Sequence, residues 1–317
     1  MSNNQIKVGI SSCLLGDEVR FNGGHTQSKY CTNVLSRYFE FIKYCPEVSA
    51  GFSTPRPTMR LYGNPTAPKL VIKGHENHDL SGKLIESSKK HLEKTNDMCG
   101  YILMKKSPSC GMFRVKVYQE NGHAHQTMRN GLFTELLMKT FPALPVEEEG
   151  RLNDKALREN FIMRVYAYSN YMKNVHNSVK YGDIIKFHSR YKYMLMAHSQ
   201  QEYRYLGKLL ANSHNQNYEE VKTEYLSRFM RAIQTSPKRR NHINVLQHLF
   251  GYLKKHISSD IKSDILNVIE QYRKREVNLI TPLTLLKHYF KQFGSEYLNS
   301  QYYLQPYPSE LGLQNEI

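Results

Sequence analysis

The order of hydrophobic and polar residues changes in character about halfway along the chain. In the first half, short apolar runs typical of strands alternate with segments of helical spacing. The predicted strands are IKVGISS, FIKYCPE, MCGYILMKK and FRVKVY, beginning at residues 6, 41, 98 and 113. The predicted helices are TNVLSRYFEF, LSGKLIESSKKHLEKTN and GLFTELLMKTF, beginning at residues 32, 80 and 131. This alternation favours an α/β, Rossmann-like fold with a mostly parallel sheet.

A domain boundary is predicted in the segment FPALPVEEEGRLND, where two prolines, an acidic run and a glycine interrupt the pattern. Beyond it, apolar residues recur every three or four positions, which predicts an all-α helical bundle. Ser199 with Glu202 forms a capping box, and Thr281 before Pro282 predicts another helix start. The sequence therefore predicts an α/β N-terminal domain over 1–150 and an all-α C-terminal domain over 151–317.

Positive charge is concentrated in the second half. The chain has 317 residues and a formal net charge of +16. Residues 1–150 carry 19 Lys and Arg against 14 Asp and Glu, a net +5, whereas residues 151–317 carry 25 against 14, a net +11. A basic domain of this kind favours a polyanionic partner, with nucleic acid as the first candidate. A solvated basic surface is the alternative.

The sequence also bears on the compartment of the protein. No run of about 18 apolar residues occurs, so we expect no membrane-spanning helix. The start, MSNNQIKVGI, lacks a basic stretch followed by a long apolar core, as a secretory signal would have. We therefore expect a cytoplasmic protein with reduced thiols. The odd number of cysteines, five, argues against a disulfide framework.

Three cysteines lie beside Pro, Gly or Ser, where the backbone turns: Cys13 in SSCLLG, Cys45 in YCPEV and Cys110 in KKSPSCGM. Each comes just after a predicted strand or in the loop beyond it. Ligands collect at the carboxyl ends of parallel strands, so we expect these thiols to converge. Such a trio can hold a zinc ion or an iron–sulfur cluster, provide a nucleophile, or be structural. The spacing contains no CxxC pairs, and these alternatives stay open.

Three ordered motifs resemble the 2-thiouracil desulfurase family. They are SSCLLGDEVRFNGGH, CPEVSAGFSTPRP and ILMKKSPSCGM, and the later GLFTELLMKTFPALPVEEEGRL fits the end of that domain, so the resemblance covers roughly residues 5–150. The remainder resembles the YbgA-type domain in FHSRYKYMLMAHS followed by YRYLGKL. The two-part arrangement resembles the fused bacterial desulfidases that remove sulfur from 4-thiouridine in tRNA.

The resemblance implies a cofactor and a set of site residues. Family members hold a 4Fe–4S cluster through three cysteines, leaving one iron without a protein ligand. The matching positions here are Cys13, Cys45 and Cys110. The catalytic carboxylate of the family matches Glu47 and its catalytic serine matches Ser107. The implied reaction is hydrolysis of C=S to C=O, with sulfide released.

Several neighbouring residues leave alternatives. Ser109 competes with Ser107 for the role of catalytic serine. Cys99, in DMCGYI, competes with Cys110 as the third cluster ligand, because some fused relatives keep a cysteine there and lose the one in SPSCG; Cys110 is preferred. Cys31 has no motif partner and is expected to be structural.

The other polar residues of the motif loops carry weaker expectations. Arg20, His25 and Arg56 are candidates for contact with the substrate or its phosphates. His75 and His78 are expected to lie in a polar surface loop and not to bind a metal.

In the helical domain, FHSRYKYMLMAHS sets His188, Arg190, Lys192 and His198 among aromatic residues. Such a pattern can grip an RNA backbone and stack on bases, but tyrosines at helical spacing also belong to cores. The basic clusters 238–240 and 273–275 are further candidates for contact with tRNA.

The expected function is therefore removal of sulfur from 4-thiouridine in tRNA, with tRNA and its thiolated nucleobase as partners and no membrane. One rival is a desulfurase of free thiouracil or thionucleosides. Another is a non-catalytic, redox-sensing RNA-binding protein.

Overall fold

The computed structural model describes residues 5–212, 216–294 and 296–313. The chain divides into two compact units, of which the first ends at Asn153 and the second begins at Asp154. The strands, all in the first unit, are β1 (Ile6–Ser11), β2 (Phe39–Tyr44), β3 (Met59–Tyr62), β4 (Lys69–Ile72), β5 (Tyr101–Leu103), β6 (Val117–Tyr118) and β7 (Val146–Glu148). Its helices are α1 (Lys29–Asn33), α2 (Pro46–Ser49), α3 (Ser81–Lys94) and α4 (Leu132–Thr140).

The main sheet of the first unit is parallel throughout, in the order β2-β1-β5-β7. Ile6 is opposite Phe39 and Gly9 is opposite Tyr101, so β1 lies between two parallel neighbours. The consecutive residues 8–11 are all buried, as expected for a parallel strand covered on both faces. This confirms the prediction of an α/β fold with a mostly parallel sheet.

A second, three-stranded sheet has the order β4-β3-β6. The hairpin of β3 and β4 is antiparallel, and β6 joins β3 in parallel. The predicted strand FRVKVY contributes only its last two residues, Val117 and Tyr118, and they belong to this sheet and not to the main one. The sequence did not predict β3 and β4, which are only four residues long each.

One local prediction in the first unit was wrong. The helix predicted over TNVLSRYFEF ends at Asn33, and Phe39 already belongs to β2. Pairing with Ile6 of β1 decides the outcome, because Phe39 is thereby buried in the sheet. The segment predicted to contain the domain boundary includes β7, whose three residues are all buried, and the first unit ends within the same segment, at Asn153.

The described residues of the second unit form helices joined by loops and include no strand, which confirms the predicted all-α class. Its helices are α5 (Lys155–Tyr171), α6 (Tyr181–His198), α7 (Gln200–Ala211), α8 (Tyr218–Gln234), α9 (Arg239–Leu253), α10 (Ser259–Arg273), α11 (Ile280–Phe293) and α12 (Glu296–Asn299). Ser199 caps α7 by accepting a hydrogen bond from the backbone N–H of Glu202 at 3.2 Å, as predicted. The predicted cap at Thr281 was wrong, because α11 begins one residue earlier and Thr281 lies in its first turn.

Aromatic side chains form the centre of the second unit. Tyr191 is 1% exposed, with its ring 4.4 Å from that of Phe187 and 5.2 Å from that of Phe229. Burial lowers the pKa of His188 to about 4, and its Nδ1 lies 3.0 Å from the Tyr225 hydroxyl. These rings of the FHSRYKYMLMAHS segment and its neighbours therefore belong to the core and are not free to stack on bases.

In the described part of the chain, no helix combines the length and the apolar character that crossing a membrane requires. The signal-peptide expectation concerns the first ten residues, of which 1–4 lie outside the described residues.

The contact between Gly9 and Tyr101 gives a stability prediction. A Cβ at Gly9 would lie 2.3 Å from ring carbons of the fully buried Tyr101 and 2.8 Å from the sulfur of Met98. Gly9→Ala should therefore lower the free energy of unfolding by about 1–3 kcal/mol through overpacking. The control is Gly82→Ala in α3, where nothing lies within 4 Å of the new Cβ. Calorimetric melting should show a lower Tm for Gly9→Ala alone, and equal Tm values for the two variants would contradict this packing.

Candidate active site

The carboxyl ends of three neighbouring parallel strands open into one cavity of about 430 Å³. Cys13 lies in a 3₁₀ turn directly after β1, Cys45 follows β2 and precedes α2, and Cys110 lies in the loop after β5. All three cysteines line the cavity. Because β1 pairs in parallel with both β2 and β5, the chain leaves all three strands at the same edge of the sheet.

The three thiols are held in a place that disfavours their ionised form. Burial, with the neighbouring Cys45 as the next cause, raises the pKa of Cys13 to about 11. Burial also raises the pKa of Cys110, again with Cys45 as the next cause. Burial also raises the pKa of Cys45, although the backbone N–H groups of Val48 and Glu47 act in the opposite direction because they favour its thiolate. Three thiolates this close repel one another, so the trio needs a cationic group to be stable in the ionised form.

A buried phenol on β5 interacts electrostatically with the same thiols. Tyr101 of β5 is fully buried, and its hydroxyl has no hydrogen-bond partner among the described residues. Burial is the main reason that the pKa of Tyr101 is raised, and the charges of Cys110, Tyr44, Cys45 and Cys13 raise it further. A buried hydroxyl without a partner costs free energy unless a hydrogen-bond acceptor occupies the space beside it.

This donor set fits an iron–sulfur cluster. Such clusters are held by cysteine thiolates, each on its own iron atom, and the cluster sulfides are hydrogen-bond acceptors. Within residues 5–212, 216–294 and 296–313, no three His, Cys, Asp or Glu side chains are arranged to hold one metal ion. Three cysteine thiols that line one cavity are the kind of donor that such a cluster takes.

Glu47 brings a carboxylate to the wall of the cavity from the first turn of α2. Its side chain is 13% exposed and forms an ion pair with Arg56 through Oε2. The Ser109 hydroxyl donates to Oε1 at 2.8 Å, whereas the Ser107 hydroxyl is 3.5 Å away. The carboxylate is thus fixed on two sides, and only a narrow part of it is accessible from the cavity.

The two serines of SPSC have different positions. Ser107 lines the cavity, and its Oγ accepts hydrogen bonds from the backbone N–H groups of Ser109 and Cys110, each at 3.1 Å. Ser109 is fully buried and does not line the cavity. Ser107 therefore shapes the loop that presents Cys110 and is accessible from the cavity, whereas Ser109 orients Glu47.

Arg56 has a contact that the sequence did not predict. Its side chain is 5% exposed and donates to the carbonyl oxygens of Val19 at 3.0 Å and Ser53 at 3.1 Å, besides its pair with Glu47. These partners occupy most of its donors. Arg56 is accordingly placed to hold Glu47. It also lines the cavity, and its contact with the substrate or a phosphate stays a prediction.

The two other cysteines lie away from the cavity. Cys99 precedes β5, and its backbone N–H donates to the carbonyl oxygen of Lys7 at 2.8 Å. Because Lys7 lies near the start of β1, Cys99 is at the amino edge of the sheet, opposite the cavity. Cys31 is fully buried in α1, where burial raises its pKa to about 11. Of the two candidates for a third ligand, the structure brings only Cys110 to Cys13 and Cys45.

Of the remaining candidates, Arg20 lines the cavity and donates to the Thr26 hydroxyl at 2.6 Å. His25 does not line it, and its Nδ1 accepts a hydrogen bond from the backbone of Gln27 at 3.2 Å. His75 and His78 lie in the turns after β4, outside the cavity.

Lys105 and Lys106 also line the cavity, although the sequence did not predict them as site residues. They precede SPSC directly in the motif KKSPSCGM, which was the available signal. With Arg20, they give the cavity a positive wall.

Comparisons with known proteins match the two units separately. The family model described as 2-thiouracil desulfurase matches residues 8–149. The model described as a protein of unknown function, DUF1722, matches residues 192–308.

Individual relatives follow the same division. The uncharacterized protein YbgA of Escherichia coli (strain K12) is 30% identical over 165 residues, which cover 52% of this chain and 98% of YbgA. The uncharacterized protein YbbK of Bacillus subtilis (strain 168) is 32% identical over 111 residues, covering 32% of this chain and 71% of YbbK. A solved chain described as the [4Fe-4S]-dependent thiouracil desulfidase TudS matches 47% of this chain and 94% of its own length, at 26% identity and a TM-score of 0.38. The chain belongs to the 2-thiouracil desulfurase family through its first unit, to which a DUF1722 unit of the YbgA type is joined.

Proposed function

We propose that the protein removes sulfur from 4-thiouridine in tRNA, with a 4Fe–4S cluster held by Cys13, Cys45 and Cys110. The observation that carries the proposal is the shared cavity, in which three thiols and the Glu47 carboxylate meet at one edge of a parallel sheet. The family of the first unit supports action on a thiolated pyrimidine. The net charge of +11 over residues 151–317 supports a polyanionic partner for the second.

When bound, the cluster supplies an iron without a protein ligand, a soft Lewis acid that prefers sulfur to oxygen. The remaining chemistry falls to side chains of this chain. The reaction is a hydrolysis, in which water replaces sulfur at carbon and hydrogen sulfide leaves. It needs no external electrons, because carbon keeps its oxidation state.

Glu47 is the general base of the proposed reaction. An ionised carboxylate can take a proton from the attacking water and later return it to the leaving sulfur. Arg56 and Ser109 fix its orientation, so the base does not have to be ordered in the transition state. Ser107, accessible from the cavity, is placed to hydrogen-bond the water.

The positive wall of the cavity suits an RNA substrate. Arg20, Lys105 and Lys106 line it, and Glu47 is already paired with Arg56. These three cations are placed to attract the phosphates that flank a thiolated nucleotide.

The ligand set gives the first functional prediction. Replacing Cys13, Cys45 or Cys110 singly with Ser should abolish cluster binding, because each thiolate is a ligand. Cys99→Ser and Cys31→Ser are matched controls that should keep it. Iron and acid-labile sulfide, counted per chain after anaerobic purification, check this. A full cluster in Cys110→Ser, together with its loss in Cys99→Ser, would show that the third ligand had been misassigned.

Replacing the proposed base should separate catalysis from cofactor binding. Glu47→Gln should lower desulfidation by about 10²–10⁴-fold with the iron content unchanged. Nucleoside analysis of thiolated tRNA after anaerobic incubation measures the reaction. Glu40→Gln, at an exposed position of β2, makes the same chemical change away from the cavity and should be fully active.

The same pair of variants tests the redox-sensing rival. A wild-type protein that holds its cluster and binds tRNA but releases no sulfide would favour the sensor. Undiminished turnover by Glu47→Gln would remove Glu47 from the mechanism.

Salt dependence distinguishes tRNA from free thiouracil or thionucleosides. Phosphate contacts release counterions, so kcat/KM for thiolated tRNA should fall steeply between low and physiological salt. With free 4-thiouridine as substrate, kcat/KM should change little over the same range. Higher kcat/KM for the free nucleoside than for tRNA at physiological salt would mean that the protein acts on free thionucleosides.

A further inference from the structure

The helical unit contains a cavity of about 410 Å³ between α5, α6 and the segment after α12. Its volume is within the range of small-ligand sites. The residues that matter here are Asn170, Lys173, Asn174, Lys186, Arg190 and Tyr302. The 2-thiouracil desulfurase match ends before this unit, and the DUF1722 description assigns the unit no ligand.

The cavity gathers positive charge that the protein does not neutralise. Lys173, Lys186 and Arg190 line it, against the single carboxylate of Asp183, which accepts a hydrogen bond from Ser178 at 2.5 Å. Among the residues that the structure describes, neither lysine has an ion-pair partner. Like charges brought together without counter-charges repel each other, and an anion relieves this repulsion.

Arg190 is held ready for such an anion. Its guanidinium carbon lies 4.5 Å from the ring centre of Tyr302, and its Nε donates to the carbonyl oxygen of Ser300 at 3.4 Å. Its two terminal nitrogens have no acceptor in the described part of the chain. A stacked guanidinium with both terminal groups vacant matches the oxygens of a phosphate group.

The amides beside the cations fix the shape of the site through hydrogen bonds to one another and to Tyr302. The side-chain amide of Asn174 donates to the Asn170 Oδ1 at 2.7 Å. The side-chain amide of Asn170 in turn donates to the Tyr302 hydroxyl. Lys173 and Asn174 belong to a single π-helical turn, Met172–His176, that continues α5. Turns of this kind occur often at functional sites.

The cavity differs from the two basic clusters that the sequence suggested. Arg239 is stacked on Tyr272, 4.2 Å from its ring centre, and donates to its carbonyl oxygen. Arg273 forms two hydrogen bonds of 2.8 Å with Glu270. Glu270 therefore already neutralises part of the charge of the second cluster, whereas neither Lys173 nor Lys186 of the cavity has an ion pair among the described residues.

We infer that this cavity binds a phosphate group of the tRNA backbone, with Arg190 as the oriented donor and Lys173 and Lys186 as charge partners. The inference rests on the proposed function, since it names where the helical unit holds that RNA. Phosphate contacts position a nucleic acid without reading its sequence.

The test compares the binding of thiolated tRNA by the full-length, cluster-loaded protein and two double variants. Lys173→Gln/Lys186→Gln removes two exposed cations of the cavity and leaves Arg190 packed on Tyr302. Lys208→Gln/Lys255→Gln removes the same charge from exposed positions of this unit outside the cavity. Circular dichroism melting verifies that both variants fold.

The cavity variant should bind tRNA about tenfold or more weakly than the wild type. The slope of log Kd against log salt should decrease by about one for each lysine. Turnover of free 4-thiouridine should be unchanged, and with tRNA the KM should rise while kcat stays constant. The control variant should behave as the wild type.

Three results would overturn the inference. Equal tRNA affinity of the cavity variant and the wild type would overturn it alone and leave the proposed function intact. An equal loss of tRNA affinity in both double variants would show a diffuse charge effect and no phosphate site. A wild-type protein that does not bind tRNA would overturn the inference together with the tRNA part of the proposed function.

Discussion

The parallel pairing of β1 with two neighbours is the constraint on which the site depends. Because β2 and β5 both run in the same direction as β1, the chain leaves all three strands at one edge. Cys13, Cys45 and Cys110 come from distant parts of the sequence and meet only for this reason. An antiparallel neighbour would carry its cysteine to the opposite edge, which is where Cys99 lies.

The base of the proposed reaction depends on a second long-range arrangement. Glu47 and Ser109 are 62 residues apart, and their 2.8 Å hydrogen bond joins α2 to the loop that carries Cys110. Arg56 adds charge complementarity from a third loop. Arg56 is only 5% exposed, so solvent screens this ion pair less than it would an exposed one, and the pair fixes Glu47 more firmly. The loops that hold the thiols therefore also hold the carboxylate.

The sequence predicted those features of the fold and the site that local patterns of residues determine. The helices of the second unit follow from apolar residues at helical spacing, and the three motif cysteines follow from their places beyond strand-like runs. The helix predicted from Thr32 was wrong because a pairing partner far away in sequence makes Phe39 part of a strand. The contact of Arg56 with Glu47 was missed for a similar reason, since it forms only when separate loops fold together. The cavity of the helical unit could be predicted least from sequence, because Arg190 donates to the carbonyl oxygen of Ser300, 110 residues later in the chain.

The most direct measurement of the central claim is anomalous diffraction at the iron absorption edge from crystals grown without oxygen. The account predicts one strong iron peak per chain, in the cavity and in contact with the sulfur atoms of Cys13, Cys45 and Cys110, with the Tyr101 hydroxyl beside it. Iron bound at Cys99, or a fully iron-loaded protein with no iron in this cavity, would contradict the account.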